Sequence, residues 1–191
     1  MFNNEEDVKL VGEVLEGRIE SFEEIVNRYE MTILKFIYSM IKDKEASEDI
    51  TQEVFITVYN KLDTFDNRYK FSNWILRIAK NKCIDYVRKY KKVHEENIDD
   101  VKAMTIASKE ISPEQTLEYK ETKRVIQEYI NGLEYIDKQI IMLRYLKEVT
   151  FNDISKILDI SESAVKRRYY KIREKFKKNI IYEEKRCEYE V

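Results

Sequence analysis

Residues 150–176 read TFNDISKILDISESAVKRRYYKIREKF. Thr150 followed three residues later by Asp153 is a capping-box start, in which each side chain satisfies a backbone N–H that the first helical turn leaves unpaired. Ile154, Ile157 and Leu158 then supply one apolar face. A turn falls at Asp159 and Ile160, where Asp accepts left-handed backbone more readily than most residues. Ser161 is placed to cap the next helix. In that second helix Val165, Tyr169 and Ile172 point inward, while Ser163, Lys166, Arg167 and Tyr170 point outward. Short polar residues and bases in the first turns are what a DNA major groove accepts. Arg168, Lys171, Arg173 and Lys175 are placed to meet phosphates. The pattern is that of a helix-turn-helix. On these residues alone an αα-hairpin whose basic helix touches only water stays open.

Composition agrees with helices and little else. Three Gly and one Pro in 191 residues leave almost nothing for hairpin turns, β-bulges or Gly-rich phosphate loops, so sandwich, Rossmann and P-loop folds are disfavoured. One histidine, His94, and two distant cysteines, Cys83 and Cys187, supply neither the spaced ligands of a zinc site nor a Cys/His catalytic pair. No catalytic residues, metal or cofactor are expected. Cys83 reads as a small buried hydrophobe and the cysteines together as thiols of a reducing compartment. The first residues, with Glu5, Glu6 and Asp7, lack the basic and apolar parts of a signal peptide, and no apolar run reaches a membrane span. A cytoplasmic protein without membrane insertion is expected.

The net charge of −2 hides a segregation. Residues 1–63 hold 15 acids against 7 bases. From Trp74 to Lys92 the bases Arg77, Lys80, Lys82, Arg88, Lys89, Lys91 and Lys92 face only Asp85, and from Ser161 to Lys178 eight bases face Glu162 and Glu174, so each stretch is +6. Two matched basic runs with interleaved aromatics in an acidic chain point to phosphate contact rather than to two solvated faces.

Apolar residues recur at helical spacing almost throughout. Helices are expected at about 5–16, 21–42, 46–62 and 72–91, then at 114–131, 136–146, 151–158 and 162–181. Between them lies KVHEENIDDVKAMTIASKEISP, in which periodicity fades. The expected fold is all-α: two small helical domains, 1–92 and 113–182, joined by a flexible linker at 93–112, with a polar, frayed tail at 183–191. His94 is read as a linker residue without chemistry, and Trp74 as core.

Three segments carry a resemblance. ASEDITQEVFITVYNKLDTF and FSNWILRIAKNKCIDYVRKYKK resemble the core-binding and the promoter-melting, −10-reading parts of the second conserved region of bacterial sigma-70 factors in their short extracytoplasmic-function form. The helix-turn-helix resembles the −35-reading fourth region, and FEEIVNRYE near the start also matches. The chain departs from the common pattern at Glu134, where Pro is usual, at Glu148 and Asp159, where Gly is usual, and at Ser163-Ala164, where Gly-Thr is frequent.

The resemblance implies a promoter-specificity subunit of RNA polymerase. It implies docking on the β′ clamp coiled coil through Asp49, Gln52, Glu53 and Phe55, and contact with the β flap. It implies −10 DNA contacts by Arg77, Lys80, Asn81, Asp85 and Arg88, with Asn67, Arg68 and Tyr69 offered to an unstacked base. It further implies −35 contacts by Ser161, Ser163, Lys166, Arg167, Tyr170, Lys171 and Arg173, and a cognate anti-sigma factor. Two other classes fit parts of the chain: a stand-alone helix-turn-helix regulator that dimerises through an acidic domain, and an all-α metal-dependent hydrolase using pairs such as Glu48/Asp49 and Asp99/Asp100. The second basic stretch speaks against the first, and the single histidine against the second.

Overall fold

The computed structural model describes residues 4–95, 124–126, 128–146 and 149–189. Its helices are α1 (Asn4–Leu15), α2 (Ile19–Ile41), α3 (Lys44–Asn60), α4 (Phe71–Glu95), α5 (Tyr135–Tyr145), α6 (Phe151–Leu158) and α7 (Glu162–Tyr189). A 3₁₀ turn at Leu62–Thr64 follows α3, and residues 124–126 and 128–131 are also helical. Among the described residues there is no strand, and no helix is long and apolar enough to cross a membrane.

The first domain is built on α2. Ile25, Tyr29, Ile33, Phe36, Ile37 and Met40 recur every three or four residues and so share one face, which is buried against Ile50, Val54 and Val58 of α3 and Phe71, Ile75 and Ala79 of α4. Each such side chain contributes about 1.5–3 kcal/mol when fully buried. Phe65, Phe71, Trp74 and Tyr29 form an aromatic knot with ring centroids 5.3–5.6 Å apart, which places Trp74 against the core as its position on the stripe predicts. The α2–α3 corner needs only two residues. Lys42 closes α2 in left-handed backbone (φ 63°), and Asp43 opens α3 by accepting from the Ala46 N–H at 2.9 Å. Asp7 of α1, 1% exposed, accepts from Arg28 at 2.9 Å and from the Tyr29 hydroxyl at 2.5 Å, tying α1 to α2.

In the second domain Ile140 and Leu143 of α5, Ile154 and Ile157 of α6, and Val165 of α7 form a small core with no exposed surface. The helix-turn-helix is built as its sequence predicts. Thr150 and Asp153 form both halves of the capping box, and Asp159 ends α6 in left-handed backbone (φ 60°). Ser161 Oγ accepts from the Ala164 N–H at 3.2 Å.

Two helices outrun their expected ends. α4 continues to Glu95, three residues into the expected linker, and α7 runs to Tyr189 through the tail expected to fray. Neither extension contains Gly or Pro, so the backbone has no residue that must stop it where the apolar stripe fades. Residues 96–112, and the first part of the helix expected at 114–131, lie outside the described residues. The two cores form one contiguous cluster, with α5 packed on α2 and α6 packed on α4.

Candidate nucleic-acid and polymerase interface

On α4 the side chains of Arg77, Asn81, Asp85 and Arg88 are all exposed, and their spacing puts them in one row along the helix. Lys80, beside the row, is half-buried. Burial lowers its pKa, with repulsion from Arg77 adding to this and Asp159 opposing it. The buried face of the same helix carries Leu76, Ala79 and Cys83. The Cys83 thiol is pushed up to about 12 by that burial, so it is an inert packing group. In the loop before α4, Asn67, Arg68 and Tyr69 are exposed. Arg68 is folded back on Asp66, which accepts from both its backbone N–H and its guanidinium.

On α7 Ser161, Ser163, Lys166, Arg167, Tyr170, Lys171 and Arg173 are exposed together at the helix start. Lys166 reaches Glu162 at 2.7 Å. Phe151 and Tyr169 pack edge to face at 5.1 Å and hold α6 against α7 behind this row. Arg168 is not among the free bases. It donates to Asp137 at 2.7 Å and to Glu134 at 3.3 Å, and these bonds raise its pKa. These contacts tie α5 to α7. Arg167, Lys171 and Lys175 border the open cleft of about 460 Å³ next to that tie.

On α3 Asp49, Gln52 and Glu53 are exposed in one row, with Lys82 donating to Glu53 at 2.9 Å. Phe55 is not on that row. It is 7% exposed and packs in the core of its own domain. The neighbouring Ile56, 61% exposed, stands where the row continues. In the run EVFITVY the apolar residues are too continuous to show which of them faces outward, so Ile56 escapes a reading from sequence. Lys70 and Asn73 escape it too, because their partner is in the other domain. Lys70 Nζ and Asn73 Nδ2 donate to the Asp153 carboxylate at 2.9 and 2.8 Å. Among the described residues no group of His, Cys, Asp and Glu is arranged to hold a metal ion.

A helix-turn-helix joined to a second helical domain with its own exposed row of charged and polar residues defines a class of DNA-binding protein. The family models for Sigma-70 region 2 and Sigma-70 region 4 match residues 25–93 and 123–176. The chain is 32% identical over 178 residues to the ECF RNA polymerase sigma factor SigW of Bacillus subtilis, covering 90% of this chain and 95% of that protein. In fold it resembles CnrH in complex with the cytosolic domain of CnrY, with a TM-score of 0.68 at 19% identity, covering 93% of this chain and 98% of that one. It likewise resembles the sigma factor RpoE of Bartonella quintana in complex with the anti-sigma factor NepR, with a TM-score of 0.67 at 16% identity, covering 83% and 96%. The chain belongs to the extracytoplasmic-function sigma factors of the sigma-70 family: it binds core RNA polymerase and directs promoter-specific transcription initiation.

Proposed function

We propose a division of that activity among three helices. The α3 row of Asp49, Gln52, Glu53 and Ile56 docks on the β′ clamp coiled coil, where an acidic and apolar strip suits a basic helical partner. The α4 row of Arg77, Asn81, Asp85 and Arg88 reads the −10 element, with Lys80 on the backbone and Asn67, Arg68 and Tyr69 offering a polar, aromatic edge to an unstacked base. The start of α7 enters the −35 major groove with Ser161, Ser163, Lys166, Arg167 and Tyr170, while Lys171 and Arg173 follow the phosphates. The second domain also touches the β flap. Chain residues 1–92 and 113–182 act as the two heads, and the linker 93–112 lets them span the promoter. The protein works in the cytoplasm, restrained by a cognate anti-sigma factor; the RpoE–NepR pairing of a protein with this fold supports that partner.

The observation that carries this reading is the pair of exposed basic rows, on α4 and on α7, in one chain. Pull-down of core polymerase followed by run-off transcription tests it, and failure to bind core at low salt overturns it. The docking row has its own contrast. Ile56→Glu is expected to weaken core binding about 10-fold, or about 1.4 kcal/mol, with an unchanged melting temperature. Phe55→Ala is expected to cost about 3 kcal/mol of stability. Equal effects of the two on core binding at matched folded fractions would refute the row.

A further inference from the structure

The loop 66–70 lies between two aromatic residues that close on each other. Phe65 and Phe71 meet edge to face with ring centroids 5.3 Å apart, so the loop is shut at its base by a packed pair. Asp66 builds the turn inside it: its carbonyl accepts from the Tyr69 N–H at 3.0 Å and its carboxylate from the Arg68 N–H at 3.0 Å. Asn67, Arg68 and Tyr69 are thereby displayed to solvent. Phe71 then begins α4, where a helix leaves its first N–H groups without an acceptor of its own. The N–H groups of Asn73 and Trp74 turn back to the Lys70 carbonyl at 3.1 and 3.2 Å. The Phe71 N–H has a more distant partner. It donates at 3.1 Å to Oδ1 of Asn4, at the start of α1 and 67 positions away in the chain.

Asn4 is one of two holds that α1 has on this point. Asp7, three residues further on and so on the same face of α1, accepts from the Tyr29 hydroxyl at 2.5 Å, and the Tyr29 ring packs edge to face on Phe71 at 5.4 Å. Phe71 is thus gripped by its backbone through Asn4 and by its ring through Tyr29. It is also the hinge of the region, being both the end of the loop and the first residue of α4. Its placement sets where Asn67, Arg68 and Tyr69 stand relative to the row that starts at Arg77. The two holds differ in kind. Asp7 and Tyr29 are buried parts of the domain core, whereas Asn4 is half-buried and contributes one oxygen.

We propose that Asn4 is a positioning residue for promoter opening: by holding the Phe71 N–H it fixes the hinge between the loop 66–70 and α4, so that the loop meets an unstacked base already in place. This rests on the roles proposed for that loop and for α4. Asn4 acts through Phe71 and not by touching the base. The gain is one of order, because a loop fixed before the base arrives loses less freedom when it captures it. Removing the Asn4 oxygen leaves a backbone donor at the start of α4 without its partner and frees the hinge, while the aromatic core beneath stays packed.

The test uses the full chain, alone and as holoenzyme. In the free chain Asn4→Ala is expected to raise amide hydrogen exchange over residues 66–74 about 5-fold, while Asn4→Asp, which keeps the accepting oxygen, stays within about 2-fold of wild type. Unchanged exchange in Asn4→Ala overturns the hold on Phe71. In the holoenzyme, on a promoter carrying 2-aminopurine in the −10 element, Asn4→Ala is expected to slow opening about 5-fold with closed-complex affinity within about 2-fold of wild type, and Asn4→Asp to restore the rate. Opening at the wild-type rate despite raised exchange, or a fall in closed-complex affinity equal to the fall in rate, overturns the positioning role. Tyr69→Ala links the two ends of the argument. Alone it is expected to slow opening about 5-fold or more, and adding Asn4→Ala to it is expected to cost less than about 2-fold further. A full second 5-fold loss would place the action of Asn4 outside the loop and overturn the proposal. Opening unaffected by Tyr69→Ala refutes the reading of the loop and with it the role given to Asn4, whereas unchanged exchange refutes the hold alone.

Discussion

α4 and α7 carry the same net charge over their basic stretches and the same kind of outward row, yet they meet their surroundings differently. α7 turns its row to solvent, and the one base that could have joined it, Arg168, is drawn away by Asp137 and Glu134. α4 turns the first part of its row toward another domain, whose acids Asp153 and Asp159 lie against Lys70 and Arg77. Two helices of equal charge are therefore unequally engaged by the rest of the chain. The difference lies in tertiary packing, not in composition.

The largest effect on this contrast is expected at Ile157, fully buried in α6, the helix that packs on both α4 and α7. Ile157→Asp buries an unpaired charge and is expected to cost about 4 kcal/mol or more, seen as a collapsed urea midpoint. A loss below about 1 kcal/mol would mean that α6 does not join the two helices. Next, Lys166→Ala with Arg167→Ala is expected to weaken −35 duplex binding about 10- to 100-fold and to reduce the salt slope by about 2. Unchanged promoter choice by such a holoenzyme would remove α7 from the comparison. Asn81→Ala is expected to slow open-complex formation about 5- to 10-fold at unchanged −35 affinity, the loss of about 1 kcal/mol of base contact. A matching fall in −35 affinity would show that the two helices do not read separately.

The smallest expected effect concerns acid. Burial raises the Asp153 pKa, but hydrogen bonds from Asn73, Thr150 and Lys70 outweigh it and hold the group at about 2, against an ordinary 3.8. A folded value below the unfolded one stabilises the folded chain above the unfolded pKa, here by about 2 kcal/mol shared between the capping box and the contacts from Lys70 and Asn73, and that contribution is lost as pH falls through the folded value. The groups facing the carboxylate are Lys70, Asn73 and Thr150, with Arg77 and Asp159 further along. The contribution of Asp153, read as the difference in urea midpoint between wild type and Asp153→Asn, is therefore expected to stay flat between about pH 8 and pH 5 and to fall only below about pH 4. A midpoint near pH 6 would assign the difference to another group.

What could be read from sequence was local. Thr150, Asp153, Asp159 and Ser161 act on neighbours within four residues, and all four take their expected places in the helix-turn-helix. Apolar spacing likewise placed the seven helices to within a few residues at nearly every start. It misplaced the ends of α4 and α7, because periodicity reports where a helix is packed and not where its backbone ceases to be helical. Side-chain direction was lost where apolar residues run together, as at Phe55 and Ile56. Partners distant in sequence were lost entirely: Lys70 and Asn73 lie 83 and 80 positions from Asp153, and Asp137 lies 31 from Arg168. No spacing rule connects such residues.

The double duty of Asp153 has a consequence for how this chain can vary. One carboxylate completes the start of α6 and also joins the two domains. A substitution there that loosens the contact between the domains also weakens the motif, so the two properties are inherited together at that position. At Lys70 and Asn73 they are independent. Drift in the strength of this contact among descendants of this sequence should therefore accumulate on the α4 side, with the acid of the capping box the last of the three to change.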